Sequence, residues 1–165
     1  LAGDAAFADR RFKLAIERYE KASSVRRPWI MSRKLMKAYA ASGDELAATG
    51  LLADYFTGDP ANVEAASELA RIAIANNDWD GAATFLDHAL TNGAYRDPYL
   101  LVMRAKVALE LGDTATALEA ADAAYAIMPM SREATEALAL SYRAIGDHDD
   151  YAEVLEKKMK KLPPG

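Results

Sequence analysis

The 165-residue sequence contains no cysteine, few glycines and prolines, and no long apolar run. Without cysteine this chain can form neither disulfides nor zinc–thiolate sites, and thiol catalysis is excluded. No apolar run reaches the roughly 18 to 20 residues that a membrane-spanning helix needs. By contrast, 36 residues are alanine, the best helix former. The composition therefore predicts an all-helical chain.

Charge is unevenly distributed along the sequence. Residues 1–37 carry 10 basic and 4 acidic groups, whereas residues 38–165 carry 10 basic and 21 acidic groups, for a net charge of -5. This overall acidity argues against a general nucleic-acid binder, because contacts from Lys and Arg to phosphate supply most of that affinity. The sequence begins within a helical pattern, with no initiator methionine or signal peptide, which favours a fragment or processed chain. Its compartment, cytoplasmic or periplasmic, is left open.

A two-residue pattern recurs along the chain at a nearly constant interval. Glycine and asparagine enter the left-handed backbone region at the lowest cost, and aspartate is a favoured helix N-cap. Each pair therefore predicts a tight turn between two helices. The pairs, whose first residues are 34, 35 and 34 positions apart, are Gly43-Asp44, Asn77-Asp78, Gly112-Asp113 and Gly146-Asp147. Arg10 takes the turn position in a fifth copy, 33 residues before Gly43.

The residues around these turns repeat as well. Five positions after the turn stand Ala48, Ala82 and Ala117; seventeen after it stand Pro60, Pro129 and Pro163; eight before it stand Leu35, Leu69 and Leu138; and four before it stand Tyr39 and Tyr142. Small alanines let paired helices approach closely, leucine and aromatic side chains fill the groove between them, and proline ends the second helix. These residues resemble the tetratricopeptide repeat.

The resemblance implies an all-α, right-handed superhelical solenoid of about five helical hairpins, or about ten helices. We expect a single repeat domain over residues 1–165, made of units 1–28, 29–62, 63–97, 98–131 and 132–165. Asp59-Pro60 and Asp97-Pro98 are predicted to open helices, as a cap followed by a first-turn proline, and Ser131 to cap another. A one-residue insertion near residues 92–95 predicts a longer bend.

The last helix is expected to close the array. The predicted apolar stripe is Tyr151, Val154, Leu155, Met159 and Leu162, and the predicted solvated face is Lys157, Lys158, Lys160 and Lys161.

Motifs for catalysis or metal binding are missing from the sequence. His88 and Asp87 are adjacent, so they point in different directions on a helix. His148 stands among three aspartates, where a solvated helix start is a better interpretation than a metal site. No phosphate-binding glycine loop or nucleophile motif is present. The sequence therefore predicts no enzyme, no cofactor and no metal, and Trp79 is interpreted as a core residue.

Function is expected to reside on the first helices, which line the concave face in the family that the chain resembles. The residue six positions before each turn residue is Lys37, Arg71, Lys106 or Leu140, so three of four are basic. With Arg33, Ile74 and the helix-opening Tyr99, these cations predict a groove for a peptide bearing carboxylates. Alternatively, they are solvated charges paired with neighbours such as Glu68 or Glu110. The asparagines of the family's carboxylate clamp are missing, so recognition of chaperone C-termini is not expected.

The predicted function is a non-catalytic protein-interaction module or scaffold that binds a partner segment. The alternative is a structural or self-association module of a larger protein, in which the basic N-terminal unit contacts the acidic later units. RNA-reading helical repeats have a similar period, but the turn pattern and the negative charge argue against that class. The expected partner is a protein or peptide, possibly another copy of the chain; neither nucleic acid nor a membrane span is expected.

Overall fold

The computed structural model describes residues 2–22, 28–146 and 149–163. In these ranges the chain forms ten α-helices and one short π-helical turn, and no strand. This confirms the predicted all-α fold class. Two compact units are present, residues 1–60 and residues 61–165.

The first unit contains four helices. They are α1 (Ala2–Ala8), α2 (Phe12–Ala22), α3 (Trp29–Ala41) and α4 (Glu45–Gly58), and each packs against the next. Buried side chains from α1, α2 and α3, including Tyr19 and Leu35, form the core of this unit. Gly3 is required in α1 because a Cβ at this position would overlap the Tyr19 ring.

The second unit contains six helices and the π-helical turn. They are α5 (Val63–Ala75), α6 (Trp79–Ala89), the π-helical turn (Leu90–Ala94), α7 (Pro98–Glu110), α8 (Thr114–Ile127), α9 (Arg132–Ile145) and α10 (Asp149–Met159). Alanines dominate the contacts of α7, α8 and α9, and Ala105, Ala121 and Ala137 have no exposed surface. Small side chains therefore let these helices pack closely, as the repeated alanines predicted. Trp79, predicted to lie in the core, is half-buried.

The predicted turns adopt the expected backbone. Gly43, Gly112 and Gly146 have φ of 86°, 73° and 84°, while Asn77 and Arg10 have φ of 57° and 58°. Arg10 thus has the left-handed conformation that the pattern predicts for a turn residue.

Aspartate caps follow three of the turns, as predicted. Asp44, Asp78 and Asp113 each accept a hydrogen bond from the backbone N–H three residues later. Bonds from the Thr116 hydroxyl and backbone N–H hold the pKa of Asp113 below its usual range. The predicted cap Asp147 and the neighbouring His148 lie outside the described residues.

Two of the three predicted helix starts are confirmed. Asp97 caps α7 with Pro98 in its first turn, and Ser131 caps α9. The prediction at Asp59-Pro60 is wrong, because α5 begins at Val63 and its cap is Asn62, which accepts from the Ala65 N–H at 2.9 Å. Asp59 follows the end of α4 and Pro60 lies in the connection. Asparagine and aspartate both cap helices well, so Asp59 and Asn62 were both possible caps for α5 from the sequence.

The predicted longer bend is also present. It takes the form of the π-helical turn, where Gly93 has φ of 137°, a value that L-residues rarely adopt.

The prediction for the last helix is only partly correct. Leu155 and Leu162 are buried, but Tyr151 and Val154 are 62% and 65% exposed. Ala152 is buried instead, so the apolar face is rotated from the predicted one. Lys158 does not belong to the solvated face: its Nζ donates to the Tyr125 hydroxyl and the Pro129 carbonyl oxygen, both at 2.6 Å.

Candidate protein-interaction surface

The first helix of each hairpin after α1 carries one row of exposed or half-exposed side chains, spaced three, four or seven residues apart. This spacing places the members of a row on the same helix face. The α3 row is Ile30, Arg33 and Lys37; the α5 row is Glu64, Glu68 and Arg71; the α7 row is Tyr99 and Lys106; and the α9 row is Glu133, Glu136 and Leu140. These rows contain five of the six residues predicted to bind a partner.

The α3 row, in the first unit, is basic and apolar. Arg33 and Lys37 are exposed, and Ile30 is 57% exposed. Met31, Ser32 and Leu35 lie on the opposite, buried side of the helix. Among the described residues, no carboxylate pairs with Lys37. The α3 row therefore presents positive charge with no acidic residue among its members.

In the second unit, the predicted cations already have carboxylate partners. Arg71 Nη1 lies 2.9 Å from Glu68 Oε1 on the same helix. Lys106 Nζ lies 3.1 Å from Glu136 Oε2, which links α7 to α9. The Glu68 pair is the one anticipated from the sequence, whereas Lys106 pairs with Glu136 rather than Glu110. All four side chains are about half exposed, so such pairs contribute little to stability and can exchange partners.

The second unit also exposes apolar and aromatic side chains on these rows. Tyr99 is 65% exposed and Leu140 is 46% exposed, and the helices that carry them pack against each other. Ile74, the remaining predicted binding residue, is half-buried near the end of α5 and outside the α5 row. Trp29, the other helix-opening aromatic, is half-buried with its ring centroid 4.9 Å from that of Tyr55.

Local hydrogen bonds fix the acidic end of the α9 row. The Ser131 hydroxyl donates to Glu133 Oε2 at 2.7 Å and also accepts from the Ala134 N–H as the helix cap. The hydroxyl bond holds the pKa of Glu133 below its usual range, with smaller contributions that include the charges of Lys106 and Arg132. Glu133 therefore stays ionised at neutral pH, and the α9 row combines two carboxylates with an exposed leucine.

Arg104 is an unusual buried cation that sequence reasoning missed. It stands eight residues before Gly112, where the other hairpins have Leu35, Leu69 and Leu138. Its Nε lies 2.6 Å and its Nη2 3.2 Å from the two carboxylate oxygens of Asp87, and its side chain is 13% exposed. Its Nη1 is buried without a partner among the described residues. Comparison of the repeats could have revealed Arg104, because it is the one residue in this position, eight before the Gly-Asp or Asn-Asp turn, that is not leucine.

The described residues show no cluster of possible metal ligands. Asp87 binds Arg104, and the neighbouring His88 is half-buried. Within residues 2–22, 28–146 and 149–163, no three His, Asp or Glu side chains converge on a point that could hold a metal. In the same ranges, none of the helices has the length and apolarity to cross a bilayer.

Comparisons with known proteins agree with this architecture. Residues 39–100 match the tetratricopeptide repeat family. No curated protein sequence matches the chain.

Solved structures of MamA have the same fold. A crystal structure of MamA superposes with a TM-score of 0.79 at 22% identity, covering 98% of this chain and 94% of that one. A crystal structure of MamA protein gives a TM-score of 0.77 at 23% identity, with coverages of 97% and 87%. The structure of a MamA RS-1 ArsTM double mutant gives a TM-score of 0.77 at 14% identity, with coverages of 97% and 89%. At these identities the likeness concerns the fold.

Tetratricopeptide repeats are in general protein-interaction scaffolds, which agrees with the exposed rows. Residues 39–100 thus match the tetratricopeptide repeat family, and the chain has the helical-hairpin fold of the MamA structures.

Proposed function

We propose that the chain is a non-catalytic scaffold in which the first-helix rows of each unit bind segments of a partner protein. The observation that carries the proposal is the exposure of Tyr99 and Leu140 beside the Lys106–Glu136 ion pair. Exposed aromatic and aliphatic side chains surrounded by polar groups are typical of protein-binding surfaces. The predicted single domain, 1–165, and its five units are part of this proposal.

The partner segment carries carboxylates. The α3 row offers Arg33 and Lys37 to them, with no acidic member in the row. In the second unit, a partner carboxylate takes the place of Glu68 on Arg71, or of Glu136 on Lys106. This exchange involves half-exposed charges, so it costs little. A contact between a cation and a carboxylate also makes the binding sensitive to salt.

A nucleic-acid ligand fits these rows poorly. Four glutamates accompany Arg71 and Lys106 on the rows of the second unit, so a phosphate backbone, which has a charge at every nucleotide, would meet net negative charge along its length. A protein segment that places single carboxylates at Arg71 and Lys106 avoids most of this repulsion.

The first test is charge reversal with a matched control. The variant Lys37→Glu/Arg71→Glu/Lys106→Glu is compared with Lys13→Glu/Lys157→Glu/Lys160→Glu, which reverses three exposed cations outside the rows. Both are used as baits for capture from the native organism, followed by mass spectrometry, after circular dichroism has confirmed their helicity. The control is expected to retain the wild-type partners and the row variant to lose them. Retention of the same partners by the row variant would refute the proposal.

A further inference from the structure

The π-helical turn between α6 and α7 contains an asparagine that is followed directly by a glycine, Asn92-Gly93. The other asparagines of the chain are Asn62, Asn76 and Asn77, and none of them precedes a glycine. Both Asn92 and Gly93 are exposed. Asparagine is among the thermally labile side chains, because its amide can be attacked by the backbone nitrogen of the next residue without any enzyme.

This attack joins the Gly93 backbone nitrogen to the side-chain carbon Cγ of Asn92. The nitrogen loses its proton and forms the N–Cγ bond, while the Cγ–Nδ2 bond breaks and the amide group leaves with that proton as ammonia. Water then opens the cyclic imide that has formed. Addition of water at Cγ gives aspartate, and addition at the main-chain carbonyl carbon gives isoaspartate. Nothing is oxidised or reduced, and water is the one co-reactant.

The local structure determines how readily this attack occurs at Asn92. A Cβ on the following residue would crowd the attacking nitrogen, and Gly93 has none. At the Asn92 ψ of 19°, the Gly93 nitrogen lies away from the Asn92 Cβ, so the turn must open for the two groups to meet. The five residues of the turn are exposed or half-buried, so opening uncovers little apolar surface and costs little free energy.

The other asparagines stand in less favourable surroundings. Asn62 is half-buried, its side chain caps α5, and the β-branched Val63 follows it. The nitrogens that would attack Asn76 and Asn77 belong to Asn77 and Asp78, and both donate to carbonyl oxygens of α5, at 3.0 and 2.9 Å. Each of these nitrogens also belongs to a residue with a side chain, so both the bonds and the crowding slow the attack.

We propose that Asn92 is a site of spontaneous deamidation, through which the π-helical turn acquires a negative charge as the protein ages. The site lies outside the first-helix rows, so it goes beyond the function proposed above.

The product has a structural consequence for the end of α6. The Asn92 Nδ2 donates to the His88 carbonyl oxygen at 2.8 Å, and a carboxylate cannot donate this bond. The new charge also stands at the carboxyl end of α6, where the helix dipole is already negative. Since the turn packs against α5 and α7, deamidation is expected to weaken the junction between these helices.

Peptide mapping of the folded protein by mass spectrometry tests the proposal. Wild-type protein is incubated at mildly acidic and mildly alkaline pH, and conversion is followed separately at each asparagine. Conversion at Asn92 is expected to be at least about tenfold faster than at any other asparagine, which corresponds to about 1.4 kcal/mol in the activation barrier. It should accelerate with pH, because the attacking nitrogen must lose its proton.

Asn92→Gln is the matched control. It retains an amide but places the carbon that would be attacked one bond further from the backbone, so the turn should acquire no acidic product over the same period. An Asn92 that stays intact in the folded wild type, or that converts no faster than Asn62, Asn76 and Asn77, would overturn the proposal.

Asn92→Asp reproduces one product and measures its effect on the fold. Its thermal midpoint is expected to lie below that of freshly prepared wild type, because the bond to the His88 carbonyl is lost and a charge is added. Equal midpoints would overturn the inferred weakening of the junction.

Discussion

Arg10 has the backbone conformation of a turn residue although it is neither glycine nor asparagine. The other turns use glycine or asparagine, yet Arg10 adopts the same left-handed conformation, with φ of 58°. In this conformation the Cβ of an L-residue comes close to the following carbonyl oxygen, at a cost of roughly 1 to 2 kcal/mol. The fold therefore carries a local strain that glycine would relieve.

Replacing Arg10 with glycine is expected to stabilise the chain. The gain is about 1 kcal/mol in the free energy of unfolding, because relief of the left-handed strain is partly offset by the greater flexibility of glycine in the unfolded chain. Urea denaturation measures it. Arg10→Ala is the control, since it removes the charge but keeps the Cβ, and it should leave stability nearly unchanged. Equal stabilisation by both variants would assign the effect to charge instead.

The Arg104–Asp87 pair makes a second residue-scale prediction. Asp87→Ala leaves a mostly buried guanidinium unpaired and is expected to cost about 1 to 3 kcal/mol of unfolding free energy. Arg104→Leu restores the leucine of the other hairpins and is expected to be neutral or stabilising, because it removes the desolvated charge altogether. Thermal unfolding of both variants provides the measurement. A larger loss in Arg104→Leu than in Asp87→Ala would contradict this account.

At the scale of elements, one carboxylate ties together the first three helices. Lys34 Nζ, on α3, donates to both carboxylate oxygens of Asp4 on α1, at 2.8 and 2.9 Å, and the Tyr19 hydroxyl on α2 donates at 2.9 Å. The bond from Lys34 is the largest cause that holds the pKa of Asp4 well below its ordinary value of 3.8. Burial, and then the bond to Asp4, raise the pKa of Tyr19 to about 12.

This network predicts a loss of stability in acid. A carboxyl group whose pKa is lower in the folded state stabilises the fold above its unfolded value, near 3.8, and this contribution disappears as the pH falls further. Asp4→Asn should therefore be less stable than the wild type at neutral pH and approach it in strong acid. Thermal midpoints between pH 7 and low pH measure the difference, with Asp54→Asn, on the exposed side of α4, as the control. A constant gap between wild type and Asp4→Asn at every pH would contradict the assignment.

Positions set by backbone conformation were the ones that could be predicted from sequence. The turns at Gly43, Asn77 and Gly112 and the caps that follow them were predictable, because few residues tolerate a left-handed backbone or cap a helix well. The start of α5 was missed, because Asp59 and Asn62 are both good caps. The exposure of Tyr151 and Val154 was missed. Apolar residues at helical spacing predict an apolar face, but they do not indicate whether a neighbouring helix covers each of them.

The candidate surface was less predictable than the fold. The column of Lys37, Arg71 and Lys106 followed from the repeat, but the partner of Lys106 did not. Glu110 is the closest acidic residue in sequence, whereas Glu136 on the next first helix makes the contact at 3.1 Å. Long flexible side chains reach between helices, so their ion pairs depend on packing that the period alone does not specify.

At the scale of the whole molecule, the first-helix rows differ in charge. The α3 row is basic, while the rows of α5 and α9 contribute four glutamates. Within the second unit, a partner carboxylate can bind Arg71 or Lys106 only if Glu68 or Glu136 gives up its ion pair. Tyr99 and Leu140 supply apolar contact area that does not depend on charge.

The most direct measurement of the central claim is the affinity of a captured partner for the wild type and for Lys37→Glu/Arg71→Glu/Lys106→Glu, by isothermal titration calorimetry. We expect the row variant to bind at least about a hundredfold more weakly, since three opposite-charge contacts become repulsive. The control Lys13→Glu/Lys157→Glu/Lys160→Glu should bind as the wild type does. Equal affinity of the row variant and the wild type would contradict the claim that these rows bind the partner.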